Sequence, residues 1–129
     1  TAYIANIGDS RALLYRQGVL QQISKDHTDQ FLLDLHGINN RKPRLTQHLG
    51  IEPEEMVIEP YLTEVVIQPG DLFLLCTDGL TDMIAVDEIT HTLQKNIDVM
   101  ETVAALINRA MDYGGRDNAT VMLCRVELE

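Results

Sequence analysis

Basic residues are scarce in this chain of 129 residues, which has 10 lysines and arginines against 20 aspartates and glutamates. The formal net charge is therefore -10. Binding along a nucleic-acid backbone depends on neutralising its phosphates with Lys and Arg, so this charge balance argues against such binding. We predict that nucleic acid is not a partner of this chain.

Long apolar runs are also lacking. None approaches the roughly 20 consecutive residues that a transmembrane helix needs, and no segment resembles a signal peptide. We therefore predict that this part of the protein does not enter a membrane. The chain does not begin with methionine, and apolar side chains already alternate with others at its start, so we expect further residues to precede it.

Cysteine is rare, and its two copies are Cys76 and Cys124. Each lies in an apolar, strand-like run, where a thiol behaves as a small hydrophobic side chain. We predict that both are reduced core residues rather than a disulfide pair, and a cytoplasmic location fits that prediction. The four histidines show no metal-ligand spacing, which argues against a zinc site.

Apolar periodicity predicts a series of strands, then helices, then one last strand. Strands are predicted at residues 3–7, 12–15, 19–24, 61–67, 72–76 and 120–126, with the second and third paired as a hairpin. Helices are predicted around 31–35, within 41–50, at 88–95 with Asp87 as N-cap, and after Asp98 as N-cap. Successive strands without intervening helices indicate antiparallel pairing, so the predicted class is α+β with one domain or part of one.

Three aspartates differ from the other acidic residues because they lie beside turn-forming residues at strand ends. Asp78 follows the apolar run 72–77, Asp117 precedes the last strand, and Asp9 lies between the first two strands. If the strands next to Asp78 and Asp117 are sheet neighbours, the two carboxylates repel each other unless a cation or proton lies between them. Mg²⁺ and Mn²⁺ prefer such oxygen ligands. Spacing alone favours the plainer interpretation, in which these aspartates form Asp-Gly turns and Asp-to-backbone bonds in loops.

Four sequence blocks, taken together and in order, carry a resemblance to a known family. They are ANIGDSRA at 5–12, LTQHLG at 45–50, GDLFLLCTDGLTD at 70–82 and GGRDNATV at 114–121. These blocks closely resemble the bacterial PPM (type 2C) protein phosphatases and extend over nearly the whole chain. The resemblance implies an α-β-β-α sandwich of two antiparallel sheets flanked by helices, of which residues 1–129 would be the C-terminal part.

The same resemblance implies a function, cofactors and ligands. PPM phosphatases hydrolyse phosphoserine and phosphothreonine in proteins, the products of Ser/Thr kinases, with Mg²⁺ or Mn²⁺ ions that activate the attacking water. By position, Asp78 and Asp117 match ligands of the metal pair. Asp9 matches a carboxylate that helps to bind a third, weaker ion.

The chain also departs from the family pattern. The bridging Asp with its Gly-rich neighbourhood, the Arg that binds substrate phosphate and further acidic residues are not in this chain, and the segment between Gly37 and Leu45 is shorter than the usual flap. We therefore expect the chain alone to bind metal poorly and to hydrolyse little. The alternative function is a non-catalytic pseudophosphatase or regulatory binding module of the same fold, and an Asp-Gly-x-Gly-Gly segment upstream would favour the enzyme.

Overall fold

The structure, a computed structural model, describes residues 1–95 and 98–129. Its strands form two antiparallel sheets, which confirms the predicted α+β class. The elements in chain order are β1 (Ala2–Asn6), β2 (Arg11–Arg16), β3 (Val19–Gln22), α1 (Gln30–Leu35), β4 (Tyr61–Val65), β5 (Leu72–Cys76), α2 (Asp78–Thr81), α3 (Val86–Gln94), α4 (Val99–Asp112) and β6 (Val121–Arg125). Among the described residues, no helix has the length and apolar character of a membrane span.

The two sheets divide the strands unequally. The larger sheet has the order β3-β2-β5-β6, and β1 pairs with β4 in a separate two-stranded sheet. The predicted hairpin of β2 and β3 is confirmed, and its turn contains Gln17 and Gly18 with φ values of 50° and 83°. The turn before β5 uses Gly70 with φ of 88° and carries the chain from the small sheet to the large one. Glycine adopts such positive φ values at little steric cost.

One face of the large sheet packs against the helices and forms the core. Leu13, Leu74 and Leu123 lie at one register position across β2, β5 and β6. Leu74 is fully buried, and burial of such a side chain contributes about 1.5–3 kcal/mol. The apolar sides of the helices complete this core with Leu80, Ile89, Leu93, Leu106 and Ala110, and Ile84 joins it from the segment between α2 and α3. The sheet is therefore a rigid base for the loops at its edge.

The opposite face of the large sheet is more exposed, and it changes one prediction about cysteine. Cys76 is buried and free, as predicted, whereas Cys124 is free but exposed. The prediction of burial is therefore wrong for Cys124. Successive side chains of a strand point to opposite faces, and Leu123 packs against the core on the helix side. Cys124 must consequently face away from the helices.

Helix boundaries differ from prediction at three places. Residues 41–50 form bends and a bridge from Thr28 to Leu45 instead of a short helix. The reason is that backbone groups of this segment bond to another segment: Asp29 N–H donates to the Arg44 carbonyl, and Thr46 N–H donates to the His27 carbonyl. These bonds replace the local bonds of a helix.

The other differences concern the helices after β5. The sequence interpretation contained no helix at α2, which directly follows β5. In α3 the N-cap residue is Ala85 and not Asp87, so Asp87 lies in the first turn, where its charge favours the helix dipole. The predicted cap of α4 is confirmed, because the Asp98 carboxylate accepts hydrogen bonds from the backbone N–H groups of Met100 and Glu101.

An ion pair between the buried carboxylate of Asp71 and the partly exposed guanidinium of Arg16 fixes the turn between the two sheets. Asp71 is 2% exposed, and its two carboxylate oxygens each accept a hydrogen bond from Arg16 at 2.8 Å. The backbone N–H of Gln68 donates to the same carboxylate at 2.8 Å, and Arg16 also donates to the Val66 carbonyl at 2.8 Å. Arg16 lowers the pKa of Asp71. The pair therefore stabilises the fold above the unfolded-state pKa of about 3.9, and this contribution is lost as the pH falls through the lower folded-state value.

We expect Arg16→Met to lower the midpoint of thermal unfolding by more than about 5 °C, because the Asp71 carboxylate would stay buried without a cation. Differential scanning calorimetry measures this shift. Arg109→Met is the control: Arg109 is 55% exposed in its pair with Glu88, and such surface pairs contribute little. Equal shifts in the two variants would contradict the importance of the Arg16–Asp71 pair.

Candidate metal centre

Asp78 lies where the buried strand β5 ends and α2 begins. The residue before it, Thr77, has an extended backbone with φ of -82° and ψ of 167°, so the chain changes from strand to helix at this point. The Asp78 side chain is 24% exposed. Its carboxylate thus lies at the edge of a well-packed sheet, where it is accessible and its backbone is fixed.

The segment that carries Asp117 runs beside the segment that carries Asp78. β5 and β6 are antiparallel neighbours, with Cys76 opposite Val121. Their pairing continues past the strand ends, because Thr77 N–H donates to the Thr120 carbonyl at 3.1 Å and Thr120 N–H donates to Thr77 Oγ1 at 3.0 Å. The strands next to Asp78 and Asp117 are therefore sheet neighbours, which was the condition stated in the sequence analysis for bringing the two aspartates close together.

Gly79 allows these two segments to come unusually close. A Cβ atom at this position would lie 2.1 Å from the Asn118 carbonyl oxygen and 3.2 Å from Ala119 Cα. Both neighbours belong to the backbone, which cannot move aside as a flexible side chain can. Beside them, Asn118 N–H donates to Asp117 Oδ1 at 2.7 Å and orients that carboxylate.

Asp9 and Asp78 share one cavity of about 190 Å³, which Asp26 and Asp82 also line. Burial and the nearby charge of Asp78 raise the pKa of Asp9. Asp117 instead lines a second cavity of about 410 Å³, together with Gly79. The structure therefore places Asp9 and Asp78 at the same cavity and Asp117 at a neighbouring one.

The loop that carries Asp9 is held from both sides by residues after β3. Gly8, with φ of 100°, donates its N–H to His27 Nδ1 at 3.1 Å and accepts from the His27 N–H at 2.9 Å. Arg11 binds the carboxylate of Asp26, with its closest N–O distance at 2.7 Å. These contacts position Asp9 at the cavity although the turn itself is short.

Sequence reasoning missed three charged residues of the cavity, which are Asp26, Lys42 and Asp82. Lys42 Nζ lies 2.6 Å from Asp78 Oδ2 and 2.8 Å from Asp82 Oδ2. These bonds to Asp78 and Asp82 raise the pKa of Lys42, so its ammonium group stays charged. Asp82 follows Asp78 by four residues, which puts both side chains on one side of a helical turn. This spacing is a signal in the sequence from which Asp82 could have been predicted. Lys42 comes from a distant loop and had no local signal.

The carboxylates around Asp78 fit part of a divalent metal site. Carboxylate oxygens suit Mg²⁺ and Mn²⁺, and the Lys42 ammonium group shows that a cation is accommodated between two of them. Within residues 1–95 and 98–129, however, no group of three or more His, Cys, Asp or Glu side chains is arranged to hold a metal ion. Mg²⁺ commonly takes one or two protein carboxylates and keeps several waters. The carboxylates of the described residues thus suit part of such a site and do not form a full ligand set.

Comparisons with known proteins identify the family. The sequence model of the family described as stage II sporulation protein E (SpoIIE) matches residues 1–127. The serine/threonine phosphatase Stp of Listeria monocytogenes serotype 4b (strain F2365) is 35% identical over 133 residues, which cover 97% of this chain and 52% of that protein.

Solved structures agree with the sequence match. The serine/threonine phosphatase of S. agalactiae has a TM-score of 0.84 at 29% identity, over 97% of this chain and 54% of that one. The catalytic domain of PstP in complex with two manganese ions has a TM-score of 0.75 at 36% identity, over 97% and 53%. This chain spans about half the length of these relatives. The chain belongs to the SpoIIE/PPM family of bacterial serine/threonine phosphatase domains.

Proposed function

We propose that the protein that contains this chain hydrolyses phosphoserine and phosphothreonine in proteins, with Mg²⁺ or Mn²⁺ as cofactor. The observation that carries the proposal is that Asp9 and Asp78 line one cavity at the end of β5, while the β5–β6 pairing places the Asp117 segment beside Asp78, at a neighbouring cavity. The relatives support it, since they are serine/threonine phosphatases and one was solved with two manganese ions. We further propose that residues 1–129 form part of a single phosphatase domain.

The proposed ligands are Asp78 and Asp117 for the metal pair and Asp9 for a third, weaker ion. Bound ions of this kind activate a water for in-line attack on phosphorus and stabilise charge on the phosphoryl oxygens. The chain's own contribution is to hold oxygen atoms in place: β5 positions Asp78, Asn118 N–H orients Asp117, and the loop contacts hold Asp9. The remaining ligands would come from outside this chain.

The proposed substrates are proteins phosphorylated by Ser/Thr kinases, and the proposed role is signalling in the cytoplasm. Both cysteines are free, and reduced thiols suit that compartment. The alternative, a non-catalytic relative that binds without hydrolysis, is favoured by one observation: Lys42 already neutralises part of the charge at Asp78.

The full-length protein tests the proposal with a phosphothreonine peptide. We expect phosphate release that requires Mn²⁺ or Mg²⁺ and stops when EDTA removes the metal, because the carboxylates alone cannot activate water. Colorimetric detection of free phosphate measures the reaction. A protein that binds the phosphopeptide and releases no phosphate at any Mn²⁺ concentration would refute the enzyme and support the non-catalytic alternative.

A further inference from the structure

We infer that Lys42 is a built-in cation that competes with a divalent ion at Asp78 and Asp82, and so controls how readily the weaker metal site fills. The inference rests on the proposed function, because it requires that carboxylates around Asp78 bind metal. Its basis is the position of the ammonium group, 2.6 Å from one carboxylate and 2.8 Å from the other. A hard divalent ion would bind the same carboxylate oxygen atoms.

The other charged groups of the cavity show why Lys42 is the cation that a divalent ion would compete with. The carboxylates that line the cavity are Asp9, Asp26, Asp78 and Asp82. Of the described residues lining it, Arg11 and Lys42 are the two cations, and Arg11 binds Asp26 through three hydrogen bonds of 2.7–3.1 Å. Lys42 is thus left to offset the other three carboxylates. One ammonium group against three carboxylates leaves an excess of negative charge that attracts a further cation.

The backbone around Lys42 is held by contacts of its neighbours, whereas the Lys42 side chain can move away from the two carboxylates. Asp29 accepts a hydrogen bond from Arg44 N–H at 2.7 Å and pairs with the Arg41 guanidinium at 2.7 Å, which anchors the residues on both sides of Lys42. The Lys42 side chain itself is 56% exposed. Its ammonium group can therefore rotate into solvent without movement of the loop, and exposed ion pairs of this kind are weak. Lys42 would weaken metal binding at this site without blocking it.

Lys42→Met in the full-length protein tests the inference, because methionine keeps the unbranched chain and removes the charge. Electron paramagnetic resonance of free Mn²⁺ measures binding independently of activity. We expect the dissociation constant of the weakest Mn²⁺ site to fall by about tenfold, the effect of losing two ion pairs of up to about 0.7 kcal/mol each. Lys42→Arg, which keeps the charge, should remain close to wild type.

Lys95→Met is the control for net charge, since Lys95 follows α3 and lies outside this cavity. Unchanged weakest-site affinity in Lys42→Met would overturn the inference, while Mn²⁺-dependent hydrolysis by the wild type would leave the proposed function intact. The same affinity gain in Lys95→Met would also overturn it, because a general charge effect would then suffice. Absence of Mn²⁺ binding in both the wild type and Lys42→Met would overturn the inference and the proposed function together.

Discussion

Replacing Asp78 by Asn in the full-length protein is expected to lower kcat/KM for a phosphothreonine peptide by at least about 100-fold. The amide has nearly the same size as the carboxylate but lacks its charge, and hard divalent ions bind neutral oxygen less tightly. Loss of an outer-shell partner already costs about 10- to 100-fold in metal affinity or activity, so loss of a ligand should cost no less. Asp117→Asn should have a similar effect, whereas Asp9→Asn should lower turnover more than the affinity for the tightly bound ions.

Steady-state kinetics at several Mn²⁺ concentrations distinguish these outcomes, because a weakened metal site is partly restored by excess Mn²⁺. Asp87→Asn is the matched control, since Asp87 is an exposed aspartate in the first turn of α3 and lies outside the cavities near Asp78. Activity of Asp78→Asn and Asp117→Asn equal to that of Asp87→Asn would show that neither carboxylate is a ligand of a catalytic metal.

The positions of Asp78 and Asp117 could be predicted because local patterns determine them. The apolar run 72–76 is long enough to be a buried strand, and a carboxylate directly after it must lie at the sheet edge. Gly114 and Gly115 follow the end of α4 and both have positive φ values. This glycine pair marks the turn that precedes Asp117. Of the strand order in the large sheet, only the β2–β3 hairpin could be predicted in this way, because the β2–β5 and β5–β6 pairs join strands that are distant in the sequence.

Features that depend on distant contacts could not be predicted from these patterns. Lys42 reaches Asp78 across 36 positions of the chain, and no periodicity in its own segment indicates that contact. The loop 41–50 avoids helix because its backbone bonds to residues 27–29. Burial of Cys124 was predicted from an apolar run, but which side of an edge strand is covered depends on the packing of other elements.

Local and distant constraints combine at Gly79, which makes it a sensitive test of the site. It lies in the first turn of α2, directly after Asp78, and faces the backbone of the Asp117 segment. A methyl group there cannot coexist with the Asn118 carbonyl oxygen at 2.1 Å, so the two segments must separate. That separation would shift Asp117 relative to Asp78, and displacement of about 1 Å can cost roughly 100-fold in rate.

We therefore expect Gly79→Ala to lower the free energy of unfolding by at least about 2 kcal/mol, as for other overpacked sites, and to lower kcat/KM by about 100-fold. Chemical denaturation and steady-state kinetics of the full-length protein measure the two effects. Gly37→Ala is the control, because Gly37 has φ of 64° but no atom within 4 Å of the added Cβ. Its backbone strain should cost about 1 kcal/mol without loss of activity. If Gly79→Ala behaved like Gly37→Ala, close contact between the two segments could not be what positions Asp117 beside Asp78.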